Sequence, residues 1–433
     1  MMVSGQPGRR PDVVIRQSGG GTEIRIGDAN PVPVPLVGAR TLRAHVNRFI
    51  KTIESVRPDA PQLSAEAARD FISTARTAAY KCFARCVDDS YDKIGNLVGE
   101  IQSHMLRWRR PGDPPFVEIV VNDAEYLPWE WLAAPTPGSI SRVEGPEGYQ
   151  QDGHELLDSM EDILGFGAIA RRVLLKSEPI DTPVNRQYLV AVHNKLQIRY
   201  VRHLVLAGAS QQQGYFNRHG AVVNLVGPVP DAELGLPVGL GTQLLNPGAG
   251  YISGEQRLGG LDQILHIHCH HGTTRDEVVN PDDFWATSKL VLLDDPPLEV
   301  TFEELEDEII VPEARREFQH LDRPLVFLNA CSGDFHPLSM ESFSRLFARN
   351  GNRGVVSTSI RVPDQVAASF AAFFYDSLLY DPGITVGAAL QKAKVNLLTR
   401  FNNPLGILYT YAGDPDLVIT PSLSALVQAP MPI

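Results

Sequence analysis

The sequence predicts an α/β protein with a mostly parallel sheet covered by helices. Two observations carry that reading. From about residue 115, short apolar runs alternate with helical patterns, as in chains of parallel strands joined by crossover helices. Two of those runs, Gln263-Ile264-Leu265-His266-Ile267-His268 and Pro324-Leu325-Val326-Phe327-Leu328, read as strands buried on both faces. With 433 residues the chain can bury one large or two ordinary domains.

At the N-terminus, residues 1–11 read as disordered. Val13-Val14-Ile15-Arg16 and Thr22-Glu23-Ile24-Arg25-Ile26 flank a Ser-Gly-Gly-Gly turn and predict a small hairpin. Pro31-Val32-Pro33-Val34-Pro35 follows as an extended linker or edge segment. Residues 39–108 are helical in pattern. Leu42, Val46, Phe49, Ile50 and Ile53 share one face of a first helix. A second starts after Ser64, with Glu66 near its start, and carries Ala67, Phe71, Ile72, Ala75, Ala78 and Ala79, with Cys82 and Phe83 continuing the face.

Beyond residue 115, strands are expected at 116–121, 203–207, 222–226, 263–268, 290–293, 325–328, 354–358 and 407–411. Helices are expected at 302–320, 338–350, 363–380 and 385–400. Pro363-Asp364 opens the third of these, and Val366, Phe370, Phe373, Phe374 and Leu378 form its apolar stripe. The segments 134–156, 228–262 and 273–288 read as long loops near the candidate site.

Composition narrows the function. The chain is 43% hydrophobic and 21% charged, with net charge −12 and mean hydropathy −0.11. That negative balance opposes nucleic-acid and anionic-membrane partners. Four cysteines do not make a disulfide framework and suit a reducing compartment. The first residues lack the apolar core of a signal peptide, and no run approaches a membrane span, so a cytoplasmic location is expected.

The chemistry lies at two strand ends. One strand runs into Cys269-His270-His271-Gly272, the other into Asn329-Ala330-Cys331-Ser332-Gly333-Asp334. Ligands of open α/β sheets bind outside the carboxyl ends of the strands. A thiol and an imidazole there are the components of a cysteine hydrolase, with Cys331 as nucleophile and His270 as its base. Backbone N–H groups of Cys331 and of a His271-Gly272 turn would hold the oxyanion. A rival reading takes His266, His268, His270 and His271 as metal ligands, because alternate residues share one strand face. The carboxylate expected at the position of His270 in such hydrolases is missing.

His266-Ile267-His268-Cys269-His270-His271-Gly272 and Leu328-Asn329-Ala330-Cys331-Ser332-Gly333 resemble the two motifs of the CHAT domain, a bacterial branch of the caspase–separase–gingipain peptidases. Leu127-Pro128-Trp129-Glu130-Trp131-Leu132, Gly354-Val355-Val356-Ser357-Thr358-Ser359 and Tyr411-Ala412-Gly413-Asp414-Pro415 resemble three further boxes, in the family's order. The resemblance implies a caspase-like fold and a Cys331–His270 dyad cleaving peptide bonds, with Asn329, His266 and His268 supporting it. The family has Gly directly after its histidine, whereas His271 intervenes here, so His271 stays open as the alternative base. The implied organisation is a hairpin, linker and helical region over 1–110, a peptidase domain over 111–422 and a tail over 423–433. A protein or peptide substrate and a regulatory partner are implied, in bacterial signalling or defence; a silent scaffold is the alternative. An acidic S1 pocket could draw on Asp334 or Asp123. No cofactor is expected.

Overall fold

The computed structural model describes residues 10–18, 21–87, 91–108, 114–121, 127–133, 151–174, 188–190, 195–203, 205–226, 263–273, 288–294, 297–310, 324–330, 343–348, 350 and 352–420. The N-terminal segment expected to be disordered falls mostly outside these residues. So do 134–150, 228–262 and 274–287 of the expected loops, and the second half of the helix expected over 302–320. The chain divides into two compact units. One comprises Gly8–Lys176 and Leu390–Thr410; the other comprises Met1–Pro7, Ser177–Ala389 and Tyr411–Ile433.

In the first unit, β1 (Val13–Ser18) and β2 (Gly21–Ile26) form the expected hairpin. The proline-rich stretch is strand β3 (Val32–Pro35), paired with β2 at the sheet edge, where missing N–H groups cost no ladder bond. Helices α1 (Ala39–Val56), α2 (Ala65–Cys86) and α3 (Tyr91–Trp108) follow. Strand β4 (Phe116–Val121) pairs in parallel with β1 and with β5 (Ile169–Leu174). Between them lie α4 (Gln151–Met160) and the single turn α5 (Leu164–Gly167).

The α1 stripe is buried at all five expected positions. Helix α2 starts where capping predicts, with the Ser64 hydroxyl accepting from the Ala67 N–H at 3.1 Å. Its buried face is turned slightly: Ala68 is buried, while Ala67 is exposed and Ala78 only half-buried. Arg76 lies on that buried face because Asp162 neutralises it. The guanidinium holds both carboxylate oxygens, Nη2 at 2.6 Å, and donates to the Ser159 carbonyl at 2.8 Å. Helix α4 occupies part of a segment expected to be a loop; Leu156, Leu157 and Met160 give it too short an apolar face to stand out.

The Leu-Pro-Trp-Glu box forms a buried 3-10 turn, Trp129–Trp131. Trp129 Nε1 donates to Gln17 Oε1 at 2.8 Å, and Glu130 pairs with Arg172. Lys394 is buried near this pair and donates to the Gly165 carbonyl at 2.6 Å; burial pulls its pKa down to about 8, against the attraction of Glu130.

In the second unit, β6 (Tyr188–Val190) is followed by β7 (Leu196–Arg202), α6 (Ala207–Arg218) and β8 (Val223–Val226). Next come β9 (Ile264–Thr273), the hairpin of β10 (Ser288–Asp294) with β11 (Pro297–Thr301), and α7 (Phe302–Ile310). Then come β12 (Leu325–Ala330), the helix α8 over 343–348, β13 (Gly354–Thr358) and α9 (Asp364–Tyr380). Helix α10 (Val386–Phe401) begins in this unit and ends in the first. Strands β14 (Tyr409–Gly413) and β15 (Val418–Thr420) follow, with β15 parallel to β6.

Strands β8, β7, β9, β12 and β13 lie in that order and are all parallel. This is the predicted class, a mostly parallel sheet flanked by helices. On one face Leu265, Ile267, Cys269, Val326 and Leu328 pack with Phe302 and Leu305 of α7 and Phe343, Leu346 and Phe347 of α8. On the other, Phe327 meets Phe374 and Tyr375 of α9. All six β12 residues are buried, as a central strand requires, and each large apolar side chain there contributes about 1.5–3 kcal/mol.

Two expected strands shift. The strand expected at 203–207 is β7, seven residues earlier, and α6 starts at Ala207. Gln197, Arg199 and Arg202 interrupt the apolar pattern of β7, whereas His203, Val205 and Leu206 after it are not strand, and Val205 is 74% exposed. The strand expected over 407–411 starts at Tyr409, after the 3-10 turn Pro404–Leu408.

The Arg76–Asp162 pair sets a stability test. Asp162→Ala leaves a guanidinium buried without its counter-charge, so unfolding free energy should fall by about 3–5 kcal/mol. Denaturant titration checks this; a loss within about 0.5 kcal/mol would show that the pair is dispensable.

Candidate functional site

The site forms where strand β9 changes neighbours. Residues 264–268 pair in parallel with β7 and 264–269 with β12; from His270 to Thr273 the strand pairs antiparallel with β10. Strand β7 ends just before His203, whose N–H donates to the His268 carbonyl at 2.7 Å. Ligands of open α/β sheets bind at such carboxyl ends of strands.

His266, His268 and His270 follow the alternation of β9 onto the α6 and α9 face. His266 is fully buried. Its ring stacks on Phe327 with centroids 4.9 Å apart, and Nδ1 lies 2.8 Å from the Tyr375 hydroxyl. Burial, helped by repulsion from His268, holds its pKa well below 6.5, so it is neutral. His268, also fully buried, donates from Nε2 to Asp364 Oδ1 at 2.8 Å. His270 is half-buried, its ring edge-on to His203 at 4.7 Å. The buried His203 accepts from the Val205 N–H through Nδ1 at 3.2 Å.

Asp364 anchors this row. It is the first residue of α9, and its side chain is 19% exposed. Burial would raise its pKa, but the hydrogen bonds from His268 and the Gly208 N–H and the charges of His268 and His270 outweigh that and lower it. Gly208 sits in the first turn of α6, so helix dipole and hydrogen bond act together on the carboxylate. A Cβ at Gly208 would overlap Asp364, which explains a glycine at this helix start.

Asn329 of β12 lies beside His268 in the strand register and is fully buried. Cys269 points to the opposite, apolar face; burial pushes its thiol pKa up. Cys82 and Cys86 are buried in α2, with sulfurs 4.0 Å apart. Cys331, Asp334 and Asp123 lie outside the described residues, as does the side chain of His271. The turn expected at His271-Gly272 is instead strand: β9 runs on to Thr273, with His271 opposite Leu290 and Gly272 opposite Lys289. Among the described residues no group of three His, Cys, Asp or Glu side chains could hold a metal ion.

Sequence reasoning missed His203 and Asp364. The local pattern places His203 at the start of a strand and Asp364 only at a helix start. The usable signal for Asp364 was an acid directly after Pro363, at a helix N-terminus of a parallel sheet.

Residues 262–405, about a third of the chain, match the family model of the CHAT domain. A probable protease of Vitiosangium sp. is 33% identical over 88 residues, covering 20% of this chain and 11% of that protein; the chain thus spans about a tenth of the curated relative it matches. The separase of the Saccharomyces cerevisiae separase–securin complex is similar over 94% of this chain and 30% of its own, at 10% identity and TM-score 0.45. The Porphyromonas gingivalis RgpB pro- and mature domains are similar over 76% of this chain and 72% of theirs, at 11% identity and TM-score 0.38. Among the described residues no helix is long and apolar enough to cross a membrane.

The neutral His266 gives a pH prediction. Its folded pKa is depressed, so the unfolded chain binds a proton first as pH falls past the ordinary value near 6.5. Stability should therefore drop between about pH 7 and about pH 5. Thermal melts of wild type and His266→Phe should show a smaller drop in the variant; equal drops would remove His266 from the account.

Proposed function

We propose that the chain is a cysteine endopeptidase of the CHAT type, with Cys331 as nucleophile and His270 as general base. The observation that carries this is the β9–β12 register. Phe327 lies opposite His266 and Asn329 opposite His268, while Leu328 and Ala330 share the apolar face with Cys269. Carried one residue further, the same ladder would pair Cys331 with His270. The buried state of Cys82, Cys86 and Cys269 also favours Cys331 as the reactive thiol. The CHAT match over 262–405 spans both motifs.

In this mechanism His270 takes the thiol proton of Cys331, and the thiolate attacks the scissile carbonyl. The oxyanion is held by the N–H of Cys331 and by backbone near Gly272. The imidazolium returns its proton to the leaving amine, and water then hydrolyses the thioester, with His270 as base. Asp364 keeps negative charge beside the row and fixes His268; His203 packs against the ring of His270. His271 remains the second candidate for the base, and an S1 acid from Asp334 or Asp123 would select Lys or Arg. The peptidase domain spans 111–422 in this reading. The resemblance implies a partner-triggered role in bacterial signalling or defence, and the cysteine usage favours a cytoplasmic location.

A fluorogenic peptide library and an acyloxymethyl ketone probe test the proposal. Cys331→Ala should abolish labelling and cleavage, His270→Ala should lower cleavage by about 10²–10⁴-fold, and a chelator should have no effect. Cleavage that survives Cys331→Ala would overturn it. Labelling of wild type without cleavage of any peptide would favour the scaffold instead.

A further inference from the structure

A concave site lies between helices α1 and α2, lined by none of the residues of the proposed chemistry. It encloses about 340 Å³, within the usual range for small-molecule sites. His45 and Arg48 face it from α1, three residues apart; Lys81 and Arg85 face it from α2, four apart. Each pair therefore shares one helix face. Thr52 on one side and Ser73, Thr74 and Thr77 on the other add hydroxyls, and the buried Phe49 and Cys82 add apolar wall. Among the described residues no carboxylate lines it.

That absence is informative in an acidic chain. Aspartates and glutamates outnumber lysines and arginines by 51 to 39. Elsewhere in this unit cations find acids: Arg76 pairs with Asp162, Arg171 with Glu118, and Arg172 with Glu130. Among the described residues Arg48, Lys81 and Arg85 have no such partner. His45 Nδ1 is buried there without a hydrogen-bond partner. Burial, and then the charges of Arg85 and Arg48, lower the pKa of His45. An adjoining cavity shares Arg48 and Thr52 and adds Lys51.

We propose that this cavity binds a small phosphorylated ligand of about mononucleotide size. Guanidinium forks and an ammonium around one point suit an oxyanion carrying more than one charge, and hydroxyls can bond its remaining oxygens. The apolar wall suits a body attached to the phosphate. The net charge of −12 disfavours a long nucleic acid as occupant. Bound anion favours protonated His45, and the groups facing it are Arg48, Lys81, Arg85 and the neutral Cys82 thiol. Affinity should therefore rise as pH falls.

Calorimetry on the full chain with pyrophosphate, AMP and ATP, at about 0.15 M salt, tests this. At least one probe should bind at one site per chain. Arg48→Gln and Arg85→Gln, both at exposed positions, should each weaken it about tenfold, and Arg48→Lys should weaken it less. Arg218→Gln, an equal charge change on α6, should leave it unchanged, and thermal melts should show all variants folded. No binding by any probe, or equal binding to an Arg48→Gln/Arg85→Gln double variant, would overturn the proposal. So would equally tight binding of a phosphate-free acidic peptide, which would make the groove a protein dock.

Discussion

The parallel pairing of β9 with β12 is the constraint on which the second unit depends. Residues 264–269 of β9 and all of β12 are buried on both faces, and both alternate strictly. Leu265, Ile267 and Cys269 join Val326 and Leu328 in the apolar layer against α7 and α8. His266, His268 and His270 stand with Phe327 and Asn329 on the other face. A slip of one residue would drive three imidazoles into the apolar layer and Leu265 and Ile267 toward Asp364. The desolvation cost of such a slip fixes the register.

The polar face is stabilised by a division of labour among similar side chains. His266 is kept neutral by burial between aromatic rings. His268 is tied to a carboxylate, which is itself tied to the start of α6. His270, at the strand end, is less buried and touches the ring of His203. Identical residue types two apart thus meet three environments. Among the described residues, the histidines that read as a metal motif in sequence therefore do not share one set of partners.

Much of the architecture was legible because it depends on local pattern. The hairpin, the α1 stripe, the Ser64 cap, strands β9 and β12 and the α9 stripe all follow from spacing and capping. The misreadings have a common cause in tertiary context. Strand β7 carries Gln197, Arg199 and Arg202 and hides its period, while the described residues between it and α6 are not strand. Ala68 replaces Ala67 on the α2 face, which also carries a buried arginine whose carboxylate partner, Asp162, lies 86 residues away. At the site, the histidines were visible as a motif, but their roles were not. The His268–Asp364 bond spans 96 residues, and nothing local to either residue announces it.

The central claim is that the strand-end imidazole and the thiol after β12 share one groove. A crystal structure of the chain carrying an acyloxymethyl ketone on its reactive cysteine measures this directly. A thioether to Cys331 is expected, with its sulfur within about 4 Å of a ring nitrogen of His270 and on the face of Asn329. A thioether elsewhere, or Cys331 packed among the Leu328-face side chains with His270 turned away, would contradict it.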